Sequence, residues 1–260
     1  MTSVSYPTHS KGGMRIYNGQ KGLVDVPGST SILNNLDKQF LGFARAKEAA
    51  QCAWDDLGTL LPWYAAGKEK AFVNHVKGAA TRKWGEASDI GTAVHELAEK
   101  LLKGQQLGNF HPDLRGFVEH TQKFIKDFEV EPVEIEATCW NETVGYAGTA
   151  DLFAKVGGEV ICADFKTGAS GVWPEVALQL ASYCHAEFLV DPDGERRPVP
   201  ETNGAAAISL RPDHYKVVPV RVDDEVFEIF KHLVQVSNWQ RTVSKSVLGA
   251  AVEPGTSGDN

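Results

Sequence analysis

From Val144 to Lys166 the chain reads VGYAGTADLFAKVGGEVICADFK, and this stretch decides the architecture. Two apolar-rich runs of strand length, about Val144 to Val156 and Glu159 to Lys166, are separated only by Gly157-Gly158. A Gly-Gly pair suits both central positions of a type I′ turn, each of which needs positive φ, so the stretch reads as a tight antiparallel hairpin. Such a turn opposes Val156 with Glu159 and, counting back along both strands, Asp151 with Asp164. Directly opposed side chains share a face with Cβ atoms about 4.5–5.5 Å apart, and like charges there repel. Lys166, two residues beyond Asp164, faces the same side.

A divalent cation between the carboxylates would offset the repulsion, since Mg²⁺ prefers oxygen ligands and commonly takes one or two carboxylates with substrate phosphate oxygens. An ammonium beside it can orient water and stabilise charge developing on a phosphate. Gly148 leaves room near the pair for close approach of another backbone. Taken alone, the hairpin also admits a structural reading: a diagonal Asp151–Lys166 ion pair, with Asp164 accepting hydrogen bonds at a sheet end.

Upstream, Val133, Ile135, Ala137 and Cys139 alternate with Glu134, Glu136 and Thr138, a half-buried strand that completes a three-strand meander. Before it come helical patterns. One runs from Leu33–Asn35 toward Leu57; one starts at Ser88 as N-cap and stops at Gly104; one is capped by Asp113 and carries Phe117, Val118, Phe124 and Ile125. His95 sits on the flank of the Ser88 helix, one turn after Gly91. Downstream, Pro174 opens a helix running to about Leu189. Gly204–Leu210 and Tyr215–Val222 form a second hairpin, and Asp223 or Asp224 starts a last helix through Trp239. The order predicts an α/β protein with a mixed central sheet flanked by helices.

The remaining features bound the function. At 260 residues, 42% hydrophobic and 23% charged, the chain can bury one large core. A formal charge of −8 argues against a protein that coats nucleic acid by bulk electrostatics, though not against an enzyme whose acidic ligands hold cations. No run approaches the roughly 20 apolar residues of a membrane span, and the N-terminus lacks a signal-peptide core, so a cytoplasmic protein is expected. Cys52, Cys139, Cys162 and Cys184 form no CxxC pair and read as buried free thiols. Residues 1–28 and 246–260 lack periodicity and read as flexible ends.

The motif set resembles the RecB-like branch of the PD-(D/E)XK nucleases, phage exonucleases included. Gly91–Leu102 (GTAVHELAEKLL) is similar to the family's helix with a metal-binding histidine. Gly148–Asp151 (GTAD) resembles its first acidic motif, Ala163–Gly168 (ADFKTG) its acidic-x-lysine motif, and Gln179–Tyr183 (QLASY) the helix that follows. Residues 88–190 carry the likeness, and the opening GSTSILNNLDKQFLGFARAKEAAQ is also similar to phage members.

The resemblance implies a restriction-endonuclease-like core within a single nuclease domain over 29–245. That domain divides into a helical part at 29–130, a catalytic core at 88–222 and a C-terminal helix at 223–241. It makes His95, Asp151 and Asp164 ligands of Mg²⁺ or Mn²⁺, with the Phe165 carbonyl a fourth and Lys166 the catalytic lysine. Gln179 and Tyr183 would support the site or contact DNA. Glu136 looks like an additional acidic residue, with Glu134 on the same face the alternative. The cysteine pattern of iron–sulfur relatives is absent, so no cluster is expected.

Considered singly, His95 is more often a satisfied helical histidine, and Gln179 and Tyr183 are surface and core; the ordered set gives them weight. Lys77, Arg82 and Lys83, interleaved with aromatics between Trp63 and Trp84, either track DNA or form a solvated helix face. The expected function is a metal-dependent DNA exonuclease in phage or bacterial recombination or replication, with a single-strand annealing or other recombination protein as partner. An endonuclease of the same fold and a non-cleaving DNA- or partner-binding module are the rivals.

Overall fold

A computed structural model of the chain describes residues 5–37 and 39–251. In chain order the elements are Thr8–Lys11 (β1), Met14–Tyr17 (β2), Val26–Pro27 (β3), Ser29–Ile32 (α1), Gln39–Asp55 (α2), Leu57–Ala65 (α3), Glu69–Lys77 (α4), Ala79–Leu102 (α5) and Arg115–Asp127 (α6). Then follow Glu131–Asn141 (β4), Tyr146–Val156 (β5), Glu159–Lys166 (β6), Glu175–Cys184 (α7), Phe188–Val190 (β7), Arg196–Arg197 (β8), Gly204–Leu210 (β9), Tyr215–Val220 (β10) and Asp224–Arg241 (α8).

The expected hairpin forms with the expected turn. Gly157 and Gly158 have φ of 58° and 92°, as type I′ geometry requires. The ladder opposes Val156 with Glu159 and Leu152 with Ala163, which puts Asp151 and Asp164 one step past its last pair. The meander extends into a seven-stranded sheet of order β10-β9-β6-β5-β4-β7-β8. β6 pairs with β9 in parallel while the other pairs are antiparallel, so the sheet is mixed.

Helices cover both faces. On one, Val94, Ala98 and Leu102 of α5 and Phe117 and Phe124 of α6 pack on Leu152, Ala163, Phe165 and Ile208. On the other, Val176, Leu180 and Tyr183 of α7 pack on Ala150, Phe153, Cys162 and Ala207. Strand alternation on β6 therefore sends Ala163 and Phe165 toward α5, and Asp164 and Lys166 toward α7.

Several boundaries differ from the sequence reading. Ser88 is not an N-cap: α5 begins nine residues earlier, at Ala79, because AATRKWGEA offers no breaker strong enough to stop a helix. Asp113 lies inside a 3-10 turn, and α6 starts after Leu114. The first helix, expected from Leu33–Asn35 toward Leu57, has a 3-10 turn at Leu33–Asn35 and a helix proper over Gln39–Asp55, and two further helices, α3 and α4, follow it into the aromatic and basic stretch. α7 stops at Cys184, and Phe188–Val190 becomes a strand beside β4. The second hairpin forms, ending at Val220, and Asp223 caps α8 by accepting from Val226 N–H.

The largest correction concerns residues 5–28, expected to be loose. They form a small sheet, β1-β2-β3. Tyr6, Tyr17, Leu23 and Val26 are buried against Trp140, Ala147 and Val190. Tertiary contacts supply what such short strands lack on their own. Residues 1–4 and 252–260 of the two terminal segments lie outside the described residues. Of the C-terminal segment, Val247 and Leu248 are exposed.

Candidate metal and catalytic centre

One cleft of ≈ 680 Å³ gathers the residues singled out in sequence. α5 supplies His95, β4 Glu136, β5 Asp151, β6 Asp164, Phe165 and Lys166, and α7 Gln179 and Tyr183. Two glycines let these elements close. A Cβ on Gly91 would lie 3.1 Å from Thr167 Oγ1, so the bare helix sits against the end of β6. A Cβ on Gly148 would fall 2.6 Å from Tyr183 Cε1 and 2.8 Å from Ser29 Oγ. The close approach at Gly148 is thus made by side chains rather than by another backbone.

On one side of the cleft, His95 Nδ1 lies 3.4 Å from Asp151 Oδ2, and the same carboxylate oxygen accepts the Phe165 backbone N–H at 2.7 Å. One donor atom each from His95, Glu136 and Asp151 lies within 4.8 Å of the others. Burial pulls the His95 pKa down, but its bond to Asp151 and the charges of Asp151, Asp164 and Glu136 outweigh this and hold it at about 9. Glu136 is pushed up to about 7, first by burial and then by the charge of Asp151. The carboxylates crowd one another, and after burial the charge of Asp151 is what raises the pKa of both Glu136 and Asp164.

Glu136 reaches this position through an unusual backbone. Its φ is 53°, a left-handed conformation that costs a non-glycine residue roughly 1–3 kcal/mol and clusters at functional sites. The consequence is a change of face. Ile135 packs with α5 and α6, yet Ala137 and Cys139 pack with α7. Strict alternation had put Glu134 and Glu136 together; instead Glu134 pairs with Arg197 while Glu136 joins His95 and Asp151.

On the other side, Gln179 is a hub. Its Nε2 donates to Asp164 Oδ1 at 2.7 Å and to Tyr183 Oη at 3.1 Å, and its Oε1 accepts from Lys166 Nζ at 3.0 Å. Lys166 Nζ also lies 2.5 Å from Asp164 Oδ2. Apart from this ion pair that buried oxygen has no other polar partner among the described residues. Burial and the charge of Asp151 raise the Asp164 pKa to about 6 against the opposing pull of Lys166. The ion pair joins Lys166 to Asp164, where the structural alternative paired it with Asp151.

One imidazole and two carboxylates with donor atoms within 4.8 Å of one another, on His95, Glu136 and Asp151, fit a hard divalent ion with some tolerance for nitrogen, Mn²⁺ or Mg²⁺; Asp164, expected as a third ligand, is outside that group and its Oδ2 is held by Lys166. Sequence reasoning missed Arg15, Tyr17, Thr30 and Thr149, which also line the cleft. Tyr17 Oη bonds Thr149 Oγ1 at 2.9 Å, tying β2 to the GTAD strand. Arg15 and Tyr17 were missed because they belong to the segment read as loose, and Thr149 because its partner is Tyr17. Lys77, Arg82 and Lys83 do not reach the cleft, whose α5 lining begins at Ala87. Arg82 is bound to the His75 carbonyl and Lys83 to Glu48.

Cys139 and Cys162 are buried as expected, whereas Cys52 and Cys184 are half-exposed. Among the described residues no helix is long and apolar enough to cross a membrane. Compared with protein-family models and with curated proteins, the chain matches none.

Proposed function

We propose that this protein is a metal-dependent DNA nuclease of the RecB-like PD-(D/E)XK type, acting from DNA ends. The observation that supports it most is the convergence, in one cleft, of His95, Glu136 and Asp151 with Asp164, Lys166 and Gln179. These residues are drawn from three adjacent strands and two helices on opposite faces of the sheet.

His95, Asp151 and Glu136 would hold the ion, with Asp164 and the Phe165 carbonyl adjoining. When bound, Mn²⁺ or Mg²⁺ supplies Lewis-acid stabilisation of charge on the scissile phosphate and eases deprotonation of water. Asp151 fixes the end of β6 through the Phe165 N–H, so ligand and catalytic lysine are held on one rigid edge. Gln179 holds Lys166 and Asp164 in register with each other. Lys166 orients the attacking water and offsets negative charge as it develops on the phosphate. Occupancy of the ion requires His95 to give up its proton, so binding strengthens as pH rises.

The preference for ends rests on confinement. The cleft is walled by the N-terminal sheet through Arg15 and Tyr17, and the chain carries a net charge of −8. Internal duplex should bind it weakly, whereas a strand end can enter. The test is incubation of the purified protein with end-labelled linear duplex and with covalently closed circular plasmid, in Mn²⁺, Mg²⁺ or EDTA. Ion-dependent loss of the linear form with the circle intact is expected. Equal cutting of both would favour an endonuclease, and ion-dependent binding with no cutting of either would favour a non-cleaving module.

A further inference from the structure

Away from the cleft, the helices α2, α3 and α4 pack on one another, and α2 and α4 on α5, with little core: among the described residues Leu60 is the one large apolar side chain of theirs that is fully buried. Where α2 ends and α4 passes, three different metal-binding side chains meet. One donor atom each from Cys52, Asp56 and His75 lies within 4.8 Å of the others. Cys52 Sγ is 3.4 Å, and His75 Nε2 2.6 Å, from the same Asp56 Oδ2.

Asp56 occupies the N-cap position of α3 yet makes no side-chain cap bond, although an Asp there ordinarily accepts a backbone N–H to a gain of roughly 1 kcal/mol. Its carboxylate is turned toward the thiol and the imidazole instead. From α5, Arg82 Nη2 lies 3.6 Å from Cys52 Sγ, and Nη1 donates to the His75 carbonyl at 3.0 Å. Burial and Asp56 raise the Cys52 pKa and the Arg82 guanidinium only partly offsets them, so the case for a metal rests on the geometry of the three side chains.

We propose that Cys52, Asp56 and His75 bind a transition-metal ion of the Zn²⁺ class, at a site separate from the cleft and open at its fourth position. A tetrahedral Zn²⁺ with thiolate, imidazole and carboxylate ligands sets S···O about 3.6 Å and N···O about 3.4 Å apart. The Cys52–Asp56 separation of 3.4 Å already fits, and the His75–Asp56 separation of 2.6 Å must open by less than about 1 Å. The soft sulfur excludes Mg²⁺, which separates this site chemically from the cleft, whose lining contains no cysteine. Its effect would be to clip α2 to α4 where apolar burial is slight.

The experiment is a Co²⁺ titration of the full-length, metal-stripped, reduced protein, followed by thiolate-to-cobalt charge-transfer absorption. One equivalent should develop the band and Zn²⁺ should displace it. Cys52→Ser should abolish it, Cys184→Ser should leave it intact, and His75→Gln should require at least about 10-fold more Co²⁺. No band in the wild type, or a band that survives Cys52→Ser, overturns the proposal. Should Cys52→Ser fail to fold, an unchanged affinity in His75→Gln overturns it equally.

Discussion

The hairpin β5–β6 and the helical group α2–α4 are built on opposite terms. In the hairpin, Leu152, Phe153, Ala154, Cys162 and Ala163 are fully buried, and paired strands fix every side chain's direction. In the helices, Phe43, Trp54 and Tyr64 are each 77% exposed, and cohesion comes from edge contacts such as Lys83–Glu48 and Arg45 over the Trp84 ring. A site needing sub-ångström placement suits the first, because its residues inherit the sheet's rigidity. The second can adjust to a partner but cannot hold acids against their own repulsion.

The sharpest way to break this contrast is activity. On the proposed reading, Asp151→Ala and Lys166→Ala should each lower ion-dependent DNA cleavage by at least about 10²–10³-fold, the first by removing a ligand of the ion and the second by removing the positive charge that would offset charge developing on the phosphate. Gln179→Ala should cost about 10–100-fold, seen in kcat rather than KM, because Gln179 acts through Asp164 and Lys166. Tyr64→Ala should change the rate less than about 3-fold, as an exposed substitution remote from the site. Loss of cleavage in Tyr64→Ala equal to that in Lys166→Ala would move the reaction centre to the helices.

Stability should divide the same way. Phe153→Ala opens a cavity between the sheet and α7 and should cost about 3–5 kcal/mol in a denaturant melt. Tyr64→Ala should fall within about 0.5 kcal/mol of wild type. Similar losses would show that the helical group is as cohesive as the sheet.

The same contrast explains what the sequence disclosed. Period-two patterning with a Gly-Gly turn determines a register, so the pairing of Val156 with Glu159 and of Leu152 with Ala163 was readable from the sequence; beyond that last pair Asp151 turns to His95 of α5 and Asp164 to Gln179 of α7, which the register alone did not disclose. Gln179 and Tyr183, four apart on one helix, were readable as a pair, though not as the hub between Asp164 and Lys166. Glu136 could not be separated from Glu134, because the alternation rule assumes negative φ and nothing in a glutamate announces 53°. The N-terminal sheet was invisible for another reason: its strands are two to four residues long and its burial comes from Trp140 and Val190, distant in sequence. Helix boundaries failed where Ser88 looked like a cap inside an uninterrupted helix.

The crowded acids give a third test, specific to the rigid region. Glu136 has a folded pKa of about 7 against an ordinary 4.5, owing first to burial and then to Asp151. Its protonation therefore stabilises the fold fully below about pH 4.5, and this contribution is lost as pH rises through 7. His95, raised from 6.5 to about 9, acts in the same direction at higher pH. In EDTA, Glu136→Gln should gain on wild type by on the order of 1–3 kcal/mol between pH 5 and 8, read from urea melts. Mn²⁺ should restore the wild type at pH 8. A pH-independent gap between the two proteins would mean that Glu136 does not share a buried site with Asp151.

The smallest expected effect probes whether the helical group touches DNA at all. Lys83 is held by Glu48 and Arg82 by the His75 carbonyl, so a phosphate must displace an existing partner before either contributes. Among the described residues Lys77, at the last position of α4, has no such partner. A cation that contacts phosphate releases about one counterion, and its removal lowers the salt slope of binding by about 1 without changing sequence preference. With a non-cleaving Asp164→Asn background and duplex carrying a single-stranded end, Lys77→Ala should weaken binding about 2- to 5-fold at low salt and flatten that slope. Lys83→Ala should do less than half as much, because Glu48 already neutralises it. Equal losses in both variants, each with a flattened slope, would show that Glu48 yields its lysine to DNA and that the arm is a strand path. No loss in either would confine binding to the cleft and leave the exposed aromatics of α2 and α3 for another partner.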